Sequence, residues 1–418
     1  MSAGAAYAGV TAAYWALMLT DGALRMLVLL HFHTLGFTPV QLAYLFLLYE
    51  FAGMVTNLFA GWIAARYGMT TTLYAGMLLQ VLALLALALL NPAWALGLSV
   101  AYVMLVQGVS GVAKDLTKMS SKSAVKLLAP NTQGGLFRWV AVLTGSKNAI
   151  KGLGFLLGAA LLAIFGFEAT VVGMAVILAL ILVAVFCAMP SRLPVGRKDA
   201  KFSEVISKSA NINWLSAARL FLFGARDVWF VVGIPIYFYA ALADGSEESR
   251  RFAFFTIGTF MALWVILYGA VQAIAPRVLG AASQPEAALV GKARIWAWGL
   301  SLIPASLMLA VLFFPSPHPA LTTILVFGLL IFAAAFAVNS ALHSYLILAF
   351  SKTERVTMDV GFYYMANAGG RLIGTALSGL AFQLGGLILL FGVAAVMVVL
   401  SALAAGRLTG PSADVPKA

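Results

Sequence analysis

Lys147 and Lys151 stand one helical turn apart, with Asn148 between them, inside an apolar run that includes Thr144 to Phe155, TGSKNAIKGLGF. Two ammonium groups on one helix face repel unless something negative sits between them, and a phosphate-like group with several oxygens accepts from both. Residues of the same kind recur in other apolar runs: Arg25 with Asp21, Glu50, Arg226 beside Asp227, and Arg371 one turn after Asn367. Such groups pair with one another or hold an oxyanion. Chemistry of other kinds has less to work with. The single cysteine, Cys187, excludes an internal disulfide, and the four histidines, His31, His33, His318 and His343, are scattered, so no metal site and no cofactor are expected. A remote alternative, an intramembrane enzyme acting on a lipid phosphate, would need a dense Asp or His cluster or a cysteine nucleophile, and the sequence shows neither.

The elements that must carry these charges are membrane spans. Hydrophobic residues make up 63% of the 418 and charged residues only 10%, too little polar surface for a water-soluble fold. Runs of about 20 apolar residues cross a hydrocarbon layer of roughly 30 Å as helices and exceed the length of barrel strands. An all-α integral membrane protein follows. Breaks at Gly, Pro and charge give twelve spans, near 10–32, 39–65, 70–90, 93–117, 136–164, 168–189, 211–241, 251–275, 293–314, 320–349, 356–383 and 386–406. No Lys or Arg precedes the first run, so the first span is expected to be retained instead of cleaved as a leader. The polar stretch PSRLPVGRKDAKFSEVISKSA divides the chain into a six-helix half over 1–190, a linker over 191–210 and a second six-helix half over 211–418.

A cytoplasmic linker places Arg66, the lysines from Lys114 to Lys126, Arg277, Lys292, Arg294, Lys352, Arg355 and the basic tail on one side, against Arg250 and Arg251 on the other. The positive-inside rule then sets both termini in the cytoplasm, in the cell's inner (plasma) membrane. Most of the net charge of +12 is thereby explained without nucleic acid.

The halves read as weak copies. Gly22-Ala23 precedes Arg25 in the first span as Gly224-Ala225 precedes Arg226 in the seventh; Asn148-Ala149 precedes Lys151 in the fifth as Asn367-Ala368 precedes Arg371 in the eleventh. Parallel six-helix repeats with a site at their interface are a transporter arrangement. Counted inward, Arg25, Lys151, Arg226 and Arg371 lie about fifteen residues deep and Glu50 about eleven, close to the midplane at about 1.5 Å per residue. An ionised group there costs about 2.5 to 3.5 kcal/mol on the lenient scale, so these residues must pair or line a cavity. Local pairing of Asp21 with Arg25 and of Asp227 with Arg226 accounts for part of the charge. Yet Arg25, Lys147, Lys151, Arg226 and Arg371 still outnumber Asp21, Glu50 and Asp227, and Arg138 and Arg219 add to the surplus. An anionic substrate would complete that balance. The candidate binding set is Arg25, Lys147, Lys151, Arg226 and Arg371, with Asn148, Asn339, His343, Asn367 and Tyr364 as hydrogen-bonding neighbours. Asp21, Glu50 and Asp227 serve charge balance or proton coupling.

Lys114, Lys118, Lys122 and Lys126 recur every fourth residue in GVAKDLTKMSSKSAVKLL and make a slowly drifting stripe on a continuing helix. Two readings stand: contact with anionic membrane lipids as part of the positive-inside bias, or an electrostatic funnel at the cytoplasmic mouth.

The chain resembles the major facilitator superfamily. The family's G-x-x-x-D-R-x-G-R-K after the second span has its counterpart in GWIAARYGMT, where Gly61, Arg66 and Gly68 match while Ala65, Met69 and Thr70 depart. More specifically, LTDGALRMLVLLHFHTLGF, LYEFAGMVTNLFAGW, GVAKDLTKMSSKSAVKLL and RWVAVLTGSKNAIKGLGFLLG are similar to the ArsJ subgroup of permeases associated with arsenic resistance. That resemblance implies efflux of the organoarsenical 1-arseno-3-phosphoglycerate by alternating access. Its functional partner would be a glyceraldehyde-3-phosphate dehydrogenase that makes this substrate from arsenate. Composition and spacing say nothing of arsenic. Antiport or import of another phosphorylated metabolite, unrelated to arsenic, is the alternative.

Overall fold

The computed structural model describes residues 3–67, 69–128, 135–188, 209–280, 284–314, 316–351 and 356–409, and the expected linker falls almost wholly outside them. Side chains at 3–8, 60–62, 64–67, 69, 119, 122–128, 135–145, 276, 278 and 356–358 are also outside the description. Described residues form helices joined by short turns: α1 Ala3–Thr34, α2 Pro39–Tyr67, α3 Met69–Ala88, α4 Leu96–Leu128, α5 Gly135–Phe165 and α6 Phe167–Ala188. They continue with α7 Ala210–Leu242, α8 Glu247–Val278, α9 Glu286–Phe313 and α10 Pro319–Phe350. A last helical stretch, Val356–Gly406, turns at Gly385 and Gly386 and so supplies two spans, α11 over 356–384 and α12 over 387–406. Gly386 has φ 55 and ψ −146, a conformation open to residues without a Cβ. The twelve expected spans are recovered, with α1 and α4 longer than their apolar runs.

Two compact units group these helices. Unit 1 comprises Met1–Phe202 and Ile234–Ile266; unit 2 comprises Ser203–Gly233 and Leu267–Ala418. The chain therefore changes unit inside α7, at the end of a π-helical turn over Trp229–Gly233, and again inside α8. The π turn is held in unit 2, where Ser378 Oγ accepts from the N–H groups of Val232 and Gly233 at 3.1 and 3.3 Å.

Within each unit, small residues set which helices touch. In unit 1 a Cβ on Gly22 of α1 would lie 2.5 Å from the carbonyl oxygen of Lys151 on α5, and Gly154 and Gly158 meet the α1 backbone at Leu19 and Ala23 just as tightly. Glycine removes the steric barrier, so the backbones approach until other atoms pack. Unit 2 repeats the device between α7 and α11, where Gly374 faces the Gly224 carbonyl and Gly370 faces that of Leu220. Large apolar side chains such as Leu180, Phe186, Ile295, Leu302 and Phe327 are exposed along the outer faces, as expected where the surrounding medium is lipid.

Candidate functional site

The α1–α5 crossing in unit 1 brings a carboxylate to a lysine. Lys151 Nζ donates to Asp21 Oδ2 at 2.6 Å, and the Tyr49 hydroxyl on α2 donates to Asp21 Oδ1. The expected one-turn pair between Asp21 and Arg25 is not the arrangement formed. Arg25 pairs instead with Glu50 on α2, and its guanidinium lies over the rings of Phe46 and Tyr49 at 5.2 and 5.1 Å. The physical reason is reach across helices: α5 delivers Lys151 to Asp21, which leaves Arg25 for the buried Glu50, itself 1% exposed. Each charge thus finds an opposite one where burial makes an unpaired ion expensive.

Next to this cluster, Lys114 and Lys118 turn into unit 1 instead of lining its surface. Lys114 is buried, with Nζ 4.1 Å from the centre of the Tyr49 ring and 3.6 Å from Asp115 Oδ2. Lys118 Nζ donates to Asn57 Oδ1 at 2.8 Å and to Asp115 Oδ1 at 3.2 Å. Gly53 on α2 makes room, since a Cβ there would stand 3.1 Å from Asp115 Oδ2. As placed, these two lysines neutralise Asp115; the side chains of Lys122 and Lys126 lie outside the described residues. Lys147 is half-buried one turn before Lys151, and Asn148 is buried between them.

The cluster of unit 2 centres on Asp227, which is fully buried. Arg226 binds Asp227 Oδ1 through Nε at 2.6 Å and Nη2 at 2.5 Å, while Arg371 Nε donates to Oδ2 at 3.2 Å. Phe223, Phe230 and Phe336 surround the Arg226 guanidinium with ring centres at 5.0, 5.6 and 5.7 Å. The α7–α11 crossing positions this set, with Gly374 admitting the Asp227 side chain.

Two turns earlier on α7, Arg219 occupies a second polar pocket of side chains. Its Nε donates to Asn367 Oδ1 at 2.9 Å and its Nη1 to the Ser340 carbonyl and hydroxyl at 3.1 and 2.9 Å. Gln272 Nε2 donates to the same hydroxyl at 3.1 Å, and Tyr268 OH lies 3.2 Å from it. Asn367, expected to offer its amide to a ligand together with Arg371, instead accepts from Arg219 with its Oδ1. Asn339 spends its amide N–H groups on the carbonyls of Trp296 and Ala335, both at 3.0 Å, and so ties α10 to α9. His343 is fully buried, and neither ring nitrogen meets a hydrogen-bond partner among the described residues. Tyr364 is half-buried, its ring edge-on to that of the buried Tyr363 at 5.5 Å.

Of the two local pairs expected from the sequence, Arg226–Asp227 forms and Asp21–Arg25 does not. Tyr49, Asp115, Ser340 and Arg219 stood outside the candidate set. Arg219 had a readable signal, since it precedes Arg226 by two helical turns and shares its face. The described residues contain no group of His, Cys, Asp and Glu arranged to hold a metal.

No family model matches the chain, and no curated protein sequence does. Solved structures match over nearly its whole length. The nucleoside transporter NupG, in a mutant form, aligns at 15% identity over 96% of this chain and 98% of its own, with a TM-score of 0.69. A POT family transporter in complex with 5-aminolevulinic acid aligns at 16% identity over 96% and 94%, with a TM-score of 0.72. A bacterial homologue of the iron transporter ferroportin, in an outward-facing state, aligns at 16% identity over 96% and 98%, with a TM-score of 0.62. The chain is a multi-pass membrane protein, and its fold is of the major facilitator type.

Proposed function

We propose that this chain is a transporter of a small, multiply anionic organic substrate, and that the substrate is 1-arseno-3-phosphoglycerate, exported by alternating access to confer arsenate resistance. The observation that carries the anionic part is the charge balance of the two interior clusters. Arg25, Lys114, Lys118 and Lys151 with Asp21, Glu50 and Asp115 in unit 1, and Arg219, Arg226 and Arg371 with Asp227 in unit 2, contain more cations than carboxylates among the described residues. A surplus of positive charge in a low-dielectric interior favours a ligand that brings negative charge. The arsenical identity rests on the ArsJ resemblance of the segments around Arg25, Glu50, Lys114 and Lys151. In this reading the chain sits in the inner membrane with both termini cytoplasmic, and a glyceraldehyde-3-phosphate dehydrogenase supplies the substrate.

The test is flux from vesicles that contain the purified protein, with enzymatically generated 1-arseno-3-phosphoglycerate or ordinary 3-phosphoglycerate trapped inside. Movement of the arsenylated acid supports the full reading. Movement of 3-phosphoglycerate alone removes arsenic and leaves an organic-anion carrier; movement of neither sinks the proposal. Clamping the membrane potential while varying the pH gradient separates the two driving forces. Each net negative charge leaving a negative interior gains about 2.3 kcal/mol per 100 mV, so uniport needs no proton. Flux that follows pH and ignores the clamp would make Asp21, Glu50 or Asp227 the proton carrier.

A further inference from the structure

Arg219 differs in the company it keeps from the interior cations that were paired with carboxylates above. It is 4% exposed, and its partners are all neutral: Asn367 Oδ1, the carbonyl and hydroxyl of Ser340, and the rings of Phe223 and Tyr363 at 4.0 and 5.1 Å. No carboxylate of a described residue lies within ion-pair distance of it. Nε and Nη1 are pinned by these acceptors, and Nη2 bonds to no described residue. A buried guanidinium whose partners are neutral retains its full charge, and with Nε and Nη1 held the remaining nitrogen, Nη2, keeps a fixed position.

A second observation points to the same place. His343 follows Ser340, which accepts from Arg219, by three residues on α10, and is 0% exposed with both ring nitrogens unpartnered among the described residues. An imidazole buried without partners forfeits at least one hydrogen bond, which a bound oxygen would restore. The hydroxyl of Ser340 meanwhile is occupied by Arg219, Gln272 and Tyr268, so the neighbourhood holds the guanidinium still.

We infer that Nη2 of Arg219, in the neighbourhood that Ser340 shares with His343, is the centre of an anion-binding subsite within unit 2 that takes an oxygen of one anionic end of the substrate, a carboxylate or phosphoryl group. This deepens the organic-anion reading above and rests on it. Arg226 and Arg371 already share a carboxylate, so a ligand oxygen reaching them competes with Asp227, whereas at Arg219 it displaces no charged partner. Arg219 is then a specificity-determining residue for one end of a two-ended ligand.

The experiment measures binding to the purified full-length protein of 3-phosphoglycerate, of its one-ended fragments glycerate and glycerol 3-phosphate, and of inorganic phosphate, in wild type, Arg219→Gln and Arg219→Lys. Melting temperature in detergent is followed alongside. Expected are a loss of about tenfold or more for 3-phosphoglycerate in both variants, a loss for one fragment, and no change for the other. Arg219→Lys keeps the charge but not the pinned fork, so it covers the case in which Arg219→Gln fails to fold. His343→Gln should weaken the same fragment by about threefold, with the other unaffected. Equal losses for both fragments, or none, overturn the subsite while leaving the organic-anion reading intact. Binding of inorganic phosphate alone, dependent on Arg219, keeps the subsite and removes the organic substrate. A wild type that binds none of the four overturns both.

Discussion

In unit 1 the carboxylate of Asp21 on α1 meets Lys151 on α5 where Gly22 and Gly154 let the two backbones touch; in unit 2 Asp227 on α7 meets Arg371 on α11 beside Gly224 and Gly374. The first and fifth helices of each half thus use one device, a glycine crossing that brings an acid to a cation. They differ in what surrounds it. Unit 1 adds Glu50 for Arg25 and Asp115 for Lys114 and Lys118, so each of these cations has a carboxylate within reach. Unit 2 asks Asp227 to serve two guanidiniums and gives Arg219 neutral partners. The same helix geometry therefore supports a nearly balanced cluster and a cationic one, and it is the cationic one that is better suited to an anion.

The sharpest way to break this contrast is to remove the shared acid. Asp227→Asn leaves Arg226 and Arg371 without their common carboxylate in a fully buried position and should cost about 3 to 5 kcal/mol, seen as failed insertion or a much lower melting temperature in detergent. Asp21→Asn should cost less, because Lys151 is partly exposed and Tyr49 keeps a hydrogen-bond acceptor in the amide. Equal losses in the two variants would erase the distinction between the clusters.

Next in size are the crossings. Gly158→Leu and Gly374→Leu should each destabilise by at least about 1 to 3 kcal/mol, since the added atoms meet backbone that cannot yield. Gly97→Ala, which meets nothing within 4 Å, is the control and should melt like wild type. A tolerated Gly158→Leu would show that the α1–α5 contact does not set the position of Lys151.

The pairing within unit 1 can be resolved by a double-mutant cycle. Arg25→Ala strands Glu50, so adding Glu50→Gln should restore about 1 to 3 kcal/mol, whereas adding Asp21→Asn should restore nothing. Rescue by Asp21→Asn and not by Glu50→Gln would return Arg25 to the acid on its own helix.

The smallest effects belong to the lysines at the edge of the balanced cluster. Lys118→Gln keeps a hydrogen bond to Asn57 and should shift the melting temperature by less than about 1 kcal/mol of stability. Lys147→Ala should slow transport several-fold while the folded yield stays at the wild-type level. A change in the salt dependence of transport on Lys118→Gln would revive a long-range role for the stripe, since screening acts on distant, exposed charges and little on buried pairs.

Span number, helical class and the presence of interior charge were legible because hydropathy and helix period are local properties of the chain. The break between α11 and α12 was readable from Gly385-Gly386, and the Arg226–Asp227 pair from adjacency. The exchange that sends Arg25 to Glu50 and Lys151 to Asp21 was not, because a side chain several bonds long chooses among all helices within reach. Nor was the bond from Arg219 to Asn367, since the two lie 148 residues apart on different helices.

By itself, then, the sequence determined that this is a helical membrane protein with charged residues inside its apolar spans, because the energy of leaving water is set residue by residue along each span. Only the tertiary structure decided which acid neutralises which base and which base is left with neutral partners. Those choices depend on distances between helices, and the distances are set by where glycines let backbones meet.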